Sequence, residues 1–237
     1  MTNKAKTPAL SRTRIINAAY QLAKKDPINA LSMRKIATKL KVTPMAIYKY
    51  FDDKNALTTA VIDMHLKKSN LIPMDIDPES DWRAWIKSSF LRMWDAYDSA
   101  PGMIQYMSNA TSLGPAVLDW QNEVLKVLIN AGFTPQQAGI AHIAMTELTA
   151  GSTILAPIRK QKIEQIFPIT WNATTDTRLT QSQPDNASSE DPTVEYPWLL
   201  MCKDAVIDYM ESSRITFSSE LDLILNGLEA SHSANNS

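Results

Sequence analysis

The sequence predicts an all-α protein, with a small N-terminal head of short helices on a larger helical body. Three observations carry this prediction. Apolar residues recur at three- and four-residue spacing in one segment after another. The 237 residues include only 6 Gly, together with 11 Met and many Leu, Ala and Lys, a composition that favours helix. Charge is also split along the chain. Residues 1–68 hold 14 Lys+Arg and 4 Asp+Glu, leaving 10 and 21 for the remainder out of totals of 24 and 25. The overall charge of −1 therefore hides a basic head on an acidic body, and only the head has the electrostatics of a polyanion binder.

Residues 1–10 read as a basic arm. It has no apolar run of the secretory kind, so no export leader is expected. Ser11 is placed to cap a helix over Arg12–Lys25, with Ile15, Ile16, Ala19, Leu22 and Ala23 on one face. Asp26-Pro27 ends it, because a residue before proline disfavours the helical region. Ser32 caps a second helix that buries Met33, Ile36, Ala37 and Leu40, and Lys41-Val42 forms a turn. Thr43-Pro44 starts a third helix, with threonine as N-cap and proline at the first helical position. Asp52-Asp53 interrupts it and caps a fourth helix over Lys54–Lys68, with Leu57, Ala60, Val61 and Met64 inward.

The acidic, proline-containing stretch IPMDIDPESD then marks a boundary between a head of residues 1–70 and a body of residues 71–237. In the body, helices are predicted over Trp82–Ser99, Met103–Asn109 and Pro115–Ala131, the last closed by Gly132. Thr134-Pro135-Gln136-Gln137 is a capping box for a long helix over Pro135–Lys160. Residues 170–193 are polar and read as a mobile loop. Helices over Glu195–Ser212 and Ser218–Ala230 close the chain.

Residues 32–54, SMRKIATKLKVTPMAIYKYFDDK, have the layout of a helix-turn-helix DNA reader. Thr43, Pro44, Met45 and Ala46 would approach base edges, where a methyl or thioether suits a thymine methyl and Thr43 can also bond a phosphate. Tyr48, Lys49 and Tyr50 follow one turn later with groups suited to phosphate, and Lys49 could reach a guanine. Lys54 stands at a helix N-terminus that itself favours an anion. Arg34 and Lys35 can reach the flanking backbone or a groove edge.

The string IINAAYQLAKKDPINALSMRKIATKLKVTPMAIYKYFDDKNAL, within residues 11–60, resembles the tetracycline-repressor (TetR) family of one-component bacterial regulators. The resemblance implies DNA contacts at Arg34, Thr43, Met45, Ala46, Tyr48, Lys49, Tyr50 and Lys54. It also implies a body whose last two long helices pair with their copies in a homodimer. Two departures stand out. Lys41 occupies a turn position usually held by Gly, at a cost on the order of 1 kcal/mol if the backbone is left-handed. Asn29 stands where a glycine usually precedes Ala30-Leu31.

A small-molecule effector, hydrophobic or aromatic, is expected between the body helices. Trp94, Tyr97, Met107, Trp120, Met145 and Thr149 are its candidate lining, although the same pattern is that of core packing. His142 and Glu147 would orient a ligand or serve as ordinary core or surface groups. Leu221, Ile224, Leu225 and Leu228 form an apolar edge for either a dimer or the monomer core. Cys202, the single cysteine, lies on an apolar helix face and reads as buried filler. The run Asp75, Asp77, Glu79, Asp81 lacks the glycine and final glutamate of a calcium loop and reads as a solvated linker.

No cofactor, metal site or enzyme signature is expected, since there is no phosphate loop, Gly-x-Ser-x-Gly or His-Glu-x-x-His. No apolar run is long enough for a membrane span, and one cysteine fits a reducing cytoplasm. The functions in view are a ligand-gated repressor on a palindromic double-stranded DNA operator, a DNA-binding regulator gated by a protein partner with no small-molecule effector, and an enzyme or carrier with a basic head.

Overall fold

The computed structural model describes residues 9–109, 113–166, 202, 207–209 and 212–235. Among these the regular elements are helical: α1 Arg12–Ala23, a 3-10 turn Ile28–Ala30, α2 Met33–Leu40, α3 Pro44–Tyr48, α4 Lys54–Lys68, α5 Trp82–Asp98, α6 Met103–Ser108, α7 Pro115–Asn130, α8 Pro135–Ile166 and α9 Ser213–Asn235. The expected loop over 170–193, most of the expected helix over 195–212 and the start of the basic arm lie outside the described residues.

The head is set by its caps. Ser11, Ser32 and Asp53 accept the amides of Arg14, Lys35 and Ala56 at 3.2, 3.2 and 2.7 Å, so α1, α2 and α4 begin where those side chains stand. Ile15, Ile36, Ile47 and Phe51 are at most 2% exposed and lock α1, α2 and α3 together. The turn after α2 is left-handed at Lys41 (φ 58°, ψ 45°), and the amides of Lys41 and Val42 close onto the carbonyls of Thr38 and Ala37. Asn29 is not left-handed. It lies in the 3-10 turn Ile28–Ala30, and the second non-glycine residue of positive φ is Asn70, just after α4. The body decides this, because the Pro101 carbonyl accepts the Ile28 amide at 3.2 Å and holds the turn in place.

Helix α4 departs from the single inward stripe expected of it. Leu57 and Val61 are buried and Ala60 and Met64 half-buried, but Thr58, Ile62 and Leu66 are buried too. The reason is that α4 packs against α1 on one side and against α5 and α7 on the other.

In the body, α8 packs on α5, α7 and α9. The capping box forms at its start, with the Thr134 amide donating to Gln137 Oε1 at 2.9 Å and the Gln137 amide to Thr134 Oγ1 at 3.3 Å. The helix then runs past Lys160, carrying Pro157 inside it. Helix α9 begins five residues before the expected Ser218. Leu221 and Leu225 are fully buried, so they close the monomer core, and Ile224 and Leu228 pack half-buried beside them. Bridges from Arg83 to Glu229 (2.8 Å) and Lys87 to Asp222 (2.6 Å) align α9 on α5. Each such surface bridge contributes about 0–1 kcal/mol, against about 1.5–3 kcal/mol for each fully buried Phe or Leu, so the apolar seam dominates.

His142 sits in this core, 8% exposed, beside the rings of Trp120 and Phe90 at 5.6 and 6.3 Å, and its Nδ1 has no hydrogen-bond partner. Cys202 is exposed in a turn rather than buried on a helix face, because no apolar neighbour covers it among the described residues.

Two outcomes are expected. Lys41→Gly should raise the free energy of unfolding by about 0.5–1 kcal/mol in a denaturant titration, since glycine removes the left-handed strain and costs part of it back in chain entropy. Burial holds His142 below its ordinary value of 6.5, so the unfolded chain takes up the proton first as pH falls. Stability from this group is intact above about pH 6.5 and is lost below it. His142→Leu should therefore flatten the acid side of a melting-temperature profile below about pH 6.5.

Candidate DNA-reading face and ligand cleft

Helix α3 is a five-residue turn of helix anchored by Ile47, which is fully buried. Everything else on it faces outward or sideways. Met45 is 71% and Tyr48 45% exposed, Thr43 and Lys49 are exposed, and Ala46 is half-buried. Thr43 holds the N-cap position with extended backbone, but its side chain makes no capping bond. The Ala46 amide that would reach it goes instead to the Thr43 carbonyl at 3.0 Å, so the hydroxyl is left to other partners. Arg34 projects exposed from α2, while its neighbour Lys35 is paired with Asp26 at 3.5 Å.

Tyr50 and Lys54 are placed differently from the others. The Tyr50 hydroxyl donates to the Leu10 carbonyl at 2.7 Å and the Tyr50 carbonyl accepts from Arg12 at 2.8 Å. Tyr50 thus fastens the arm to the end of α3 while remaining 37% exposed. Lys54 donates to the Asn29 carbonyl at 2.9 Å, which uses one of three ammonium protons and leaves two for an anion at the start of α4. Arg12 was not singled out from sequence. Its guanidinium lies 4.1 Å from the Phe51 ring centre and holds the same junction. No local pattern joins residues so far apart in the chain.

The body carries a cleft of about 750 Å³ between the end of α5, the α5–α6 turn, α8 near Thr153–Pro157 and the start of α9. Of the six side chains expected to line a ligand site, Trp94 and Tyr97 reach it. Trp94 donates to Ser152 Oγ at 3.3 Å and stacks on Phe217 at 6.3 Å. Burial pushes the Tyr97 hydroxyl up to about 12, so it stays protonated. The other four are elsewhere. Trp120 is core, edge-on to Phe90 at 5.1 Å, and donates to Ser89 Oγ at 2.8 Å. Met145 and Thr149 are fully buried, with the Thr149 hydroxyl returned to the Met145 carbonyl at 2.6 Å. Met107 is half-buried against the core and away from the cleft. Sequence reasoning missed Ile104, Ile154, Ile215, Asp98 and Arg214, because the Pro101-Gly102 turn and the start of α9 meet only in three dimensions. Arg214 is held by Asp95 through bonds of 2.7 and 3.0 Å.

The cleft wall also supports the head. Besides the Pro101–Ile28 bond, the Tyr106 hydroxyl donates to the Asn55 carbonyl at 2.9 Å, and His65 Nε2 lies 2.8 Å from the Ala96 carbonyl. Asp63 Oδ1, on α4, accepts the Ala116 amide at the start of α7 at 2.7 Å. Among the described residues no three His, Cys, Asp or Glu side chains are grouped to hold a metal, and no helix is long and apolar enough to cross a membrane.

Residues 15–61 match the family model for bacterial regulatory proteins, tetR family, and residues 75–232 match that for the tetracyclin repressor-like C-terminal domain. The HTH-type transcriptional repressor DrrR1 of Streptomyces coeruleorubidus is 26% identical over 145 residues, covering 61% of this chain and 53% of that protein. The tetracycline repressor protein class C of Escherichia coli is 27% identical over 150 residues, covering 61% of this chain and 65% of that protein. The matched stretch thus spans less than two thirds of either relative's own length. Among solved structures, the Streptomyces coelicolor TetR family protein ActR in complex with (S)-DNPA is similar at a TM-score of 0.69 and 17% identity, covering 95% of this chain and 100% of that one. That likeness concerns the fold: a helix-turn-helix domain followed by a helical domain. With family matches over the head and over most of the body, the chain belongs to the tetR family of bacterial regulatory proteins.

Proposed function

We propose that this protein is a cytoplasmic transcriptional repressor that binds a palindromic DNA operator as a homodimer and is released by a small hydrophobic or aromatic molecule. In this reading residues 1–70 form the DNA-binding domain and residues 71–237 the regulatory and dimerisation domain. The observation that carries it is α3: one buried anchor, Ile47, with Met45 and Tyr48 largely exposed on a head of net charge +10. Met45, Ala46 and Thr43 would meet base edges, and Arg34, Tyr48, Lys49 and Lys54 the phosphates, with Lys49 also in reach of a guanine. Tyr50 would act from behind by fixing the arm.

Dimerisation is supported by apolar side chains left uncovered on the outer helices, among them Ile140, Ile143 and Leu223 at 62, 57 and 73% exposure. Two copies would present α3 at half-sites about 34–36 Å apart or a multiple of that. The cleft supports a small-molecule effector, since its volume falls in the range of about 300–1,000 Å³ common to ligand sites. ActR is bound to (S)-DNPA in a related fold. A ligand there presses on the turn that carries Pro101, and so on the seat of the head. It releases DNA only if it binds the low-affinity arrangement more tightly.

Fluorescence anisotropy with DNA from upstream of the protein's own gene tests the reading face. Tyr48→Ala and Lys49→Ala should each weaken binding by about tenfold or more, with Lys49→Ala also lowering the salt slope by about one; unchanged affinity in both would overturn the assignment. Light scattering should give about 53 kDa, twice the 26.5 kDa chain. Ile154→Trp, which fills the cleft, should keep operator affinity and abolish release by any compound that releases the parent protein.

A further inference from the structure

The acidic linker between α4 and α5 has exposed carboxylates, as its sequence implies, and is also tied to the helices beneath it. Arg92 donates to the Asn70 carbonyl at 3.1 Å and to Asp75 at 2.7 Å, Ser89 donates to the Leu71 carbonyl at 2.9 Å, and Asp81 caps α5 through the Ala84 amide at 2.8 Å. Between these ties Pro73 and Pro78 bar a helix. The linker therefore stands off the helices and encloses a second cleft of about 760 Å³, against the first turn of α5 and the last turns of α7.

The floor of this cleft is aromatic and its rim is acidic. Trp82 and Trp85 lie at the floor, Trp85 buried and Trp82 fixed edge-on to Phe133 at 5.1 Å and 75°. Asp77, Glu79 and Glu123 are the carboxylates of the lining, and Lys126 is its one ammonium. Lys126 is committed to Glu123 at 3.1 Å. The Asp77 carboxylate accepts only the neutral Glu79 amide, at 3.1 Å. Two carboxylates, Asp77 and Glu79, thus face the cleft with no cation against them among the described residues.

An aromatic floor under an uncompensated negative rim selects one ligand chemistry. Ring faces attract a cation through their quadrupoles, and the carboxylates attract it by charge. We propose that this second cleft binds a lipophilic organic cation, its apolar groups on Trp82 and Trp85 and its charge toward Asp77 and Glu79. The site is separate from the effector cleft and does not depend on the regulatory reading.

Isothermal titration of the full chain with tetraphenylphosphonium and with its isosteric anion, tetraphenylborate, tests the proposal. The cation should bind once per chain, about tenfold or more tighter than the anion. The isosteric double variant Asp77→Asn/Glu79→Gln should weaken the cation about fivefold and shrink that preference, as expected for rim charges. Trp82→Ala should weaken both ions, and Ile154→Trp should change neither. Equal binding of the two ions, binding of neither, or loss of the cation in Ile154→Trp but not in the double variant would overturn the proposal.

Discussion

Burial of α4 on two sides is the constraint on which the rest of the structure depends. A helix that closes one core needs one apolar stripe. This one closes two, so Leu57 and Val61 are joined in the interior by Thr58, Ile62 and Leu66. The polar cost is met locally, with the Thr58 hydroxyl returned to the Lys54 carbonyl at 2.8 Å and Asp63 turned to the Ala116 amide in the first turn of α7. Helix α7 begins with Gly114-Pro115, and a Cβ at Gly114 would stand 3.1 Å from the Asp63 side chain. The small residue, the proline and the borrowed carboxylate form one joint, and through it the position of α7 is tied to that of the head.

The head was legible because its signals are local. Ser11, Ser32 and Asp53 cap the helices they precede, and three-residue offsets can be read without knowing the fold. The left-handed turn at Lys41 was legible for the same reason. Non-local contacts are not legible in this way. The Pro101 carbonyl holds the 3-10 turn that contains Asn29. Tyr50 shares its segment with Tyr48 and Lys49, yet its hydroxyl is taken by Leu10. In the body, aromatic and methionine residues at helical spacing do not distinguish a core from a cavity lining. Trp120, Met145 and Thr149 fill the interior, whereas Ile104, Ile154 and Ile215 come together around space. The linker carboxylates are exposed, as the sequence implies, but nothing in it places Arg92 beneath Asp75.

Charge and packing divide the work. Head and body carry opposite net charge, yet few ion pairs join them. The contacts described at their junction are apolar side chains and mostly neutral hydrogen bonds, with the Asp63 carboxylate accepting the Ala116 amide besides. A junction built this way is insensitive to salt, whereas binding of a polyanion by the head falls steeply with it. The two properties can therefore be varied independently, which a charged junction would not allow.

The same arithmetic indicates which part of the molecule can yield. The α5–α6 turn and α6 meet the head through the Ile28–Pro101 and Tyr106–Asn55 hydrogen bonds. Neutral bonds of this kind contribute about 0.5–1.5 kcal/mol each, and they stand beside the buried side chains of Ile28 and Met103. Helix α9 is seated by a larger apolar seam of Phe217, Leu221 and Leu225, all fully buried. Allosteric couplings are typically about 1–3 kcal/mol, the scale of the hydrogen bonds at the turn. In the proposed reading, a ligand in the α5–α8 cleft would touch both, and the turn would be the part to give way first.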